Sequence, residues 1–302
     1  LSKIINSLKK KELVGVPTET VYGLAGNAYS SKSVKKIYHL KKRPYKNPLI
    51  IHYYNLKYLK NDVEFNKNFF KLYKKFSPGP ITFILKRKKK SQLSNIATAK
   101  LKTVAVRFPK NKVLRKILKS LNFPLAIPSA NKSTRISPVS AEDVAQEFKS
   151  SLKIIVNGGP CKIGLESTVV DLTSKPKILR PGLIGPTTIS KALNKKIKIN
   201  QSSKIIKAPG MLKRHYSPGI PMRLNQKKAK KQEAFVVFGK KFKKGKNIFN
   251  LSYKSSLNEA AKNLYKTLRL IKNKKYKIIC VCSIPKTGIG LAINDRLAKA
   301  AK

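Results

Sequence analysis

Two cations two residues apart open a proline-bracketed stretch, KKRPYKNPLIIH at 41–52, which sets Lys41, Arg43, Asn47 and His52 around Pro44 and Pro48. The prolines fix the backbone where a helix pattern gives way to a strand pattern. An arginine at that point offers the planar fork that suits phosphate oxygens. Two readings stand: an anion clamp, or a basic helix end favoured by the macrodipole. The motif has company. TVAVRFP ends a strand pattern on Arg107, IPSANKS ends another at Ser129 and Asn131, and RISP carries Ser137. GLESTVVDL brings in Glu166, Ser167 and Thr168 before a strand, and ILRPG ends one with Arg180. Strand ends are where α/β sheets bind ligands. Arg or Ser beside Pro, repeated this often, exceeds what turn chemistry requires. The groups converge if the sheet is curved and its strand ends share one cleft.

Glu19 stands apart because the chain has 12 acidic residues against 68 Lys and Arg. It sits in VPTETVYGL, after a short strand pattern that Pro17 ends. TET reads as a polar turn, either solvated or part of a site.

The elements that must carry these groups alternate over residues 1–200. Strands are expected at 13–17, 48–53, 80–85, 103–107, 124–128, 153–156, 168–172 and 177–180. Helical patterns lie between them: one from Ser33 with Ser31 as its cap, others at 66–76 and 112–121, and SAEDVAQEF at 140–148 with a capping box from Ser140 to Asp143. This predicts one α/β domain over 1–200. Residues 201–225, rich in Ser, Pro and Gly, read as a linker. A smaller α/β unit follows at 226–302, with strand patterns at 233–239 and 277–284, a long helix at 255–272 and a glycine turn entering a last helix.

Composition narrows the class. No apolar run approaches the length of a membrane helix, and the N-terminus lacks the apolar core of a signal peptide, so a cytoplasmic protein is expected. Three cysteines and three histidines make neither a disulfide framework nor a four-ligand zinc site. No P-loop is present, and GIGLAI at 288–293 lacks the third glycine of a dinucleotide fingerprint. The net charge of +56 is spread along the chain, as in KRKKK at 86–90 and KKFKKGK at 240–246. It reads as lysine used as the default surface residue, with weak nonspecific binding of tRNA as a consequence.

Taken together, PTETVYGL, KKRPYKNPLIIH, PSAN, STVVDL, LRPG and above all the linker APGMLKRHYSP resemble the YrdC-like family in its long, two-domain form, the threonylcarbamoyl-AMP synthases. The resemblance implies a curved mixed sheet with a basic concave cleft. It implies a reaction of L-threonine, bicarbonate and ATP to threonylcarbamoyl-AMP and pyrophosphate. A threonylcarbamoyl-transferase partner would then modify a tRNA adenosine beside the anticodon. By resemblance, Thr20, His52, Arg107, Ile127 and Ser167 serve L-threonine. Arg43, Asn47, Thr103, Ser129, Asn131, Ser137, Arg180, His215 and Tyr216 serve ATP, and Lys41 with Arg43 carries the charge chemistry. Mg²⁺ would come with ATP, with no side chain assigned to it. For Glu19 a structural role is preferred, and His215 and Tyr216 suit a lid that excludes water. Two other classes stand as alternatives: an RNA-binding module of the same fold that makes no adenylate, and a domain that handles carbamoyl-AMP.

Overall fold

The computed structural model describes residues 1–200, 206–212 and 214–302; 201–205 and Lys213, inside the stretch read as linker, lie outside the described residues. The larger unit is an eight-stranded sheet in the order β1-β2-β6-β3-β5-β4-β7-β8. Its strands are β1 Val14–Val16, β2 Gly23–Asn27, β3 Ile50–His52, β4 Ile81–Lys86, β5 Thr103–Arg107, β6 Leu125–Ala126, β7 Thr168–Asp171 and β8 Lys177–Arg180. Two pairs, β3 with β5 and β4 with β7, are parallel and the others antiparallel. This is the curved, mixed α/β sheet that the sequence predicts.

The central strands are apolar on both faces, and period two sorts their side chains. Val104 and Val106 of β5 enter the main core, whereas Ala105 joins Ile50, Ile84, Val169 and Leu179 on the opposite face. Ala208 and Met211, from the segment after β8, cover that second face. The same alternation places His52 and Arg107 on the covered face, at one end of the sheet. In the ladder His52 lies opposite Arg107, Arg107 opposite Thr82, Thr82 opposite Val169, and Val169 opposite Arg180. The last pairing depends on a register shift: Val169 meets Arg180 but Val170 meets Ile178. Such a bulge re-aims a side chain, and here it turns Arg180 onto the face of Arg107. One row of side chains thus crosses five neighbouring strands.

Helices α1 Ser2–Lys9, α2 Ser31–Lys41, α3 Leu56–Asp62, α4 Lys67–Phe76, α5 Lys112–Lys119, α6 Ala141–Phe148 and α7 Pro186–Leu193 surround the sheet. The cap of α2 is Ser30, whose hydroxyl accepts from the Ser33 amide, and not Ser31 as expected; Ser30 has the extended backbone that a cap needs. Ser140 caps α6 as expected, accepting from the Asp143 amide, while the Asp143 carboxylate accepts from the Val139 amide. The expected strand 153–156 is one bridge from Ile155 to Gly15.

The smaller unit is a four-stranded parallel sheet, β11-β10-β12-β9, built from β9 Met222–Arg223, β10 Ala234–Val237, β11 Ile248–Asn250 and β12 Ile279–Val281 with α8 Leu257–Asn273 and α9 Gly290–Ala300. Its edge strand β9 falls inside 201–225. Leu165 and Tyr216 share one apolar cluster with Ala261, Leu264, Tyr265 and Leu297, so the two units have a common core. Gly164 makes that contact close: its φ is +80°, and a Cβ there would stand 2.7 Å from the Lys262 Cα of α8.

Candidate active site

Over the cross-strand row opens a pocket lined by Arg43, His52, Arg107, Ile127, Ser129, Arg180, His215 and Tyr216 among others. Eight of the expected site residues therefore meet at one place, from three strand ends, the turn after β6, the loop after α2 and the linker.

Each arginine is held by the protein with part of its fork. Arg107 donates through Nη2 to Glu19 Oε1 at 2.7 Å and Thr20 Oγ1 at 2.9 Å, while its buried Nε has no partner. Glu19 also accepts from the Lys110 and Asn111 amides, at 3.1 and 3.3 Å, just before α5. Burial raises the Glu19 carboxyl, but Arg107 and these hydrogen bonds outweigh it and leave it below its ordinary value. Glu19 is therefore a structural anchor for Arg107. Thr20 is reached through Arg107 and Thr18.

Arg43 donates from Nε to the Asn47 carbonyl at 2.9 Å, and from Nη2 to Asn47 Oδ1 at 2.6 Å and the Pro48 carbonyl at 2.9 Å. Burial lowers it to about 10, so it stays cationic at neutral pH. Arg180 donates to Ser167 through both Nε and Nη2, at 3.0 Å each, and to the Pro209 carbonyl at 3.2 Å. Ser167 Oγ lies 2.8 Å from Thr82 Oγ1, which ties Arg180 back to the row.

His52 is 1 % exposed and its Nδ1 lies 3.2 Å from the Ile50 carbonyl. Burial, helped by Arg107, lowers it well below its ordinary value, so the ring is neutral. With Nδ1–H donating to that carbonyl, Nε2 is left as an acceptor. Lys41 stands behind the wall. It is 1 % exposed and donates to the Ser129 and Asn131 carbonyls, and burial together with Arg43 holds it well below its usual range. It secures the Ser129–Asn131 turn and lines no part of the cavity. Ser137 donates to Glu166 Oε1 at 2.6 Å, and Asn131 donates to the Lys132 and Arg135 carbonyls. Thr103 is not brought in. It shares the face of Arg107 but lies four residues back along β5, about 13 Å away at strand rise.

His215 and Tyr216 close the cavity from the linker, with ring centroids 4.0 Å apart. Burial pushes His215 down to about 3 and Tyr216 up to about 12. His215 Nδ1 and Tyr216 Oη are buried and unpartnered, as are Asn47 Nδ2, Arg107 Nε and Asn131 Oδ1. Five of the eight such atoms among the described residues belong to expected site residues. Three of the five, on Arg107, His215 and Tyr216, belong to the cavity lining; buried polar groups without partners are rare, so this lining suits a polar ligand. Residues that the sequence left off the site include Thr18, Tyr22 and Pro209, while Glu166, named among the strand-end groups but given no ligand, is also in the lining. Glu166 offered a signal, as a scarce acid beside Ser167. Among the described residues no group of three or more His, Cys, Asp or Glu is placed to hold a metal ion, and no helix is long and apolar enough to cross a membrane.

The family model described as telomere recombination matches residues 6–182, and the one described as threonylcarbamoyl-AMP synthase, C-terminal domain, matches 184–302. The chain is 36 % identical to the threonylcarbamoyl-AMP synthase of Pyrococcus abyssi over 316 residues, covering 97 % of this chain and 92 % of the relative. It is 36 % identical to the Bacillus subtilis enzyme of that name over 325 residues, covering 97 % and 90 %. A crystal structure of P. abyssi Sua5 complexed with L-threonine superposes with a TM-score of 0.91 at 34 % identity, covering 99 % of this chain and 93 % of that one. Fold, motifs and both matched segments agree, and the chain belongs to the two-domain threonylcarbamoyl-AMP synthase family.

Proposed function

We propose that this protein is an L-threonylcarbamoyladenylate synthase, which makes threonylcarbamoyl-AMP and pyrophosphate from L-threonine, bicarbonate and ATP. The observation that carries the reading is the row His52–Arg107–Thr82–Val169–Arg180, faced by Arg43 and covered by His215 and Tyr216. A P. abyssi relative of nearly full coverage is described with L-threonine bound.

The chemistry needs positioned charge more than a nucleophile. Threonine amine and bicarbonate form a carbamate and water. A carbamate oxygen then attacks the α-phosphorus, its new P–O bond forms, and the bond to pyrophosphate breaks. Charge grows on the α-phosphate oxygens and the leaving group, where fixed cations stabilise it most. Arg107, with Nε unpartnered, suits the threonine carboxylate, and neutral His52 accepts from its ammonium or hydroxyl. Arg43 and Arg180 suit phosphate oxygens. His215 and Tyr216 exclude water from the labile mixed anhydride. Magnesium enters as MgATP, held by the triphosphate, because the one carboxylate in the lining, Glu166, is committed to Ser137, Tyr265 and Arg296. A transferase partner then passes the threonylcarbamoyl group to tRNA.

The test is pyrophosphate release with intact threonylcarbamoyl-AMP followed by mass. Release is expected only with L-threonine and bicarbonate both present. Equal release without an amino acid would overturn the reading, and the non-catalytic RNA-binding alternative would predict none at all.

A further inference from the structure

Glu166 is an odd lining residue for a cavity meant for a polyanion. It is 6 % exposed. Burial pushes its carboxyl up, but Arg296, Arg180 and the Ser137 hydrogen bond hold it down at about 2, so it carries a full negative charge at working pH. The compensating charge comes from the other unit. Arg296 of α9 is 0 % exposed and donates from Nε to Glu166 Oε2 at 2.8 Å. Its Nη2 donates to the Pro181 carbonyl at 3.0 Å, next to Arg180, and its guanidinium stacks 5.0 Å from the Tyr216 ring. Tyr265 of α8 donates to Glu166 Oε2 at 3.0 Å. One turn on, Lys299 of α9 donates to the Gly210 carbonyl and accepts through its own carbonyl from the His215 amide. A single helix therefore reaches Glu166, the Arg180 turn and the covering segment.

We propose that Arg296 is a positioning residue for the anion-binding cavity: from the second unit it neutralises and orients Glu166, which sets Ser137 and keeps an uncompensated carboxylate from opposing the ligand's phosphates. The proposal rests on the synthase reading in taking ATP as that ligand. It makes the second unit part of the site. Without Arg296, the largest of the charges that hold the Glu166 carboxyl down is gone and its pKa rises. The groups facing Glu166 are Arg180 from β8, Tyr265 from α8, His215 and Tyr216 from the linker and, through Arg296, Asp295 of α9. His215 at about 3 and Tyr216 at about 12 do not titrate near neutrality. Anion binding in an Arg296→Met variant should therefore weaken as pH rises through the new Glu166 pKa, a dependence that the parent lacks there.

The experiment titrates MgATP and, separately, inorganic pyrophosphate into the full-length protein by calorimetry between about pH 4 and 8, with a thermal melt of each variant. Arg296→Met is expected to weaken both by about 30-fold or more at neutral pH, with affinity returning on acidification. Arg296→Lys should restore part of it. The double variant Arg296→Met with Glu166→Gln should recover most of it, because the opposing charge is gone. Parent-like affinity in Arg296→Met overturns the proposal. So does a folded double variant as weak as the single one, which would make Arg296 a packing residue. If Arg296→Met fails to fold, the double variant decides: folded with near-parent affinity supports the proposal, unfolded or weak overturns it. A parent that binds MgATP but releases no pyrophosphate with L-threonine and bicarbonate refutes the synthase reading alone. A parent that binds neither anion overturns both.

Discussion

Arg43 and Arg107 both line the cavity with guanidiniums that the protein already holds in place. Each uses two or three N–H groups on neighbouring carbonyls, hydroxyls or a carboxylate, and Arg107 keeps its buried Nε without a partner. A guanidinium fixed like this loses little freedom when the ligand arrives. Arg43→Ala is accordingly expected to weaken ATP binding by about 2–5 kcal/mol, the cost of cutting one side of a desolvated charged pair. Calorimetric titration of ATP checks it, with L-threonine binding as the control for folding. Unchanged affinity would reduce the Lys41–Arg43 motif to a basic helix end. Lys41 shows how the two readings of that motif divide: its ammonium supports the Ser129–Asn131 turn from behind, while Arg43 faces the cavity.

At the scale of elements, Ala208, Met211, His215 and Tyr216 lie against the sheet face that carries the row. Ala208 and Met211 cover its apolar part, and the aromatic pair covers its polar end. Gly210 permits the approach: its φ is +87°, and a Cβ would stand 2.6 Å from Tyr216 Oη and 2.7 Å from Arg180 Cδ. Replacing His215 and Tyr216 together with Ala is expected to leave threonine binding intact, since Arg107 and His52 remain. Product should hydrolyse sooner, because water now enters. The measurement is intact threonylcarbamoyl-AMP against free AMP over time, with pyrophosphate counting turnovers. Equal product survival in variant and parent would make the pair a tether.

For the whole molecule, buried ionisable groups predict acid sensitivity. The folded Glu166 pKa of about 2 lies below its ordinary 4.5, and the His215 value of about 3 lies below its ordinary 6.5. A depressed folded pKa adds stability above the ordinary value that is lost as pH falls toward the folded one. The His215 contribution should fade from about pH 6.5 and that of Glu166 from about pH 4.5, on the order of 5 and 3 kcal/mol respectively when complete. Urea midpoints measured from neutral pH down to about 3 check this, and a flat profile would contradict it. The net charge of +56 belongs to the same scale. It is expected to give weak tRNA binding with little sequence preference and a steep fall with salt, since released counterions set the slope. Filter binding across salt would show it, and tight binding to a single tRNA would count against it.

The order of strand-end motifs was legible along the chain because each is local: an apolar run, then Pro beside Arg, Ser or Asn. So were β4, β5, β7, β8, α4, α5 and α6, whose periodicities are strong. β2 was missed because GLAGN has none of the branched residues that mark strands, and α1, α3, α7 and β11 because their patterns are short. Tertiary structure alone decided the rest. Thr103 and Arg107 share a strand and a face, yet only the end carrying Arg107 reaches the cavity. Arg180 reaches the cavity through a bulge that no period announces. Glu19 is explained by Arg107, 88 residues away, and Glu166 by Arg296, 130 residues away. Charge pairing acts through space, and a chain read in one dimension does not say which distant cation will neutralise a buried acid.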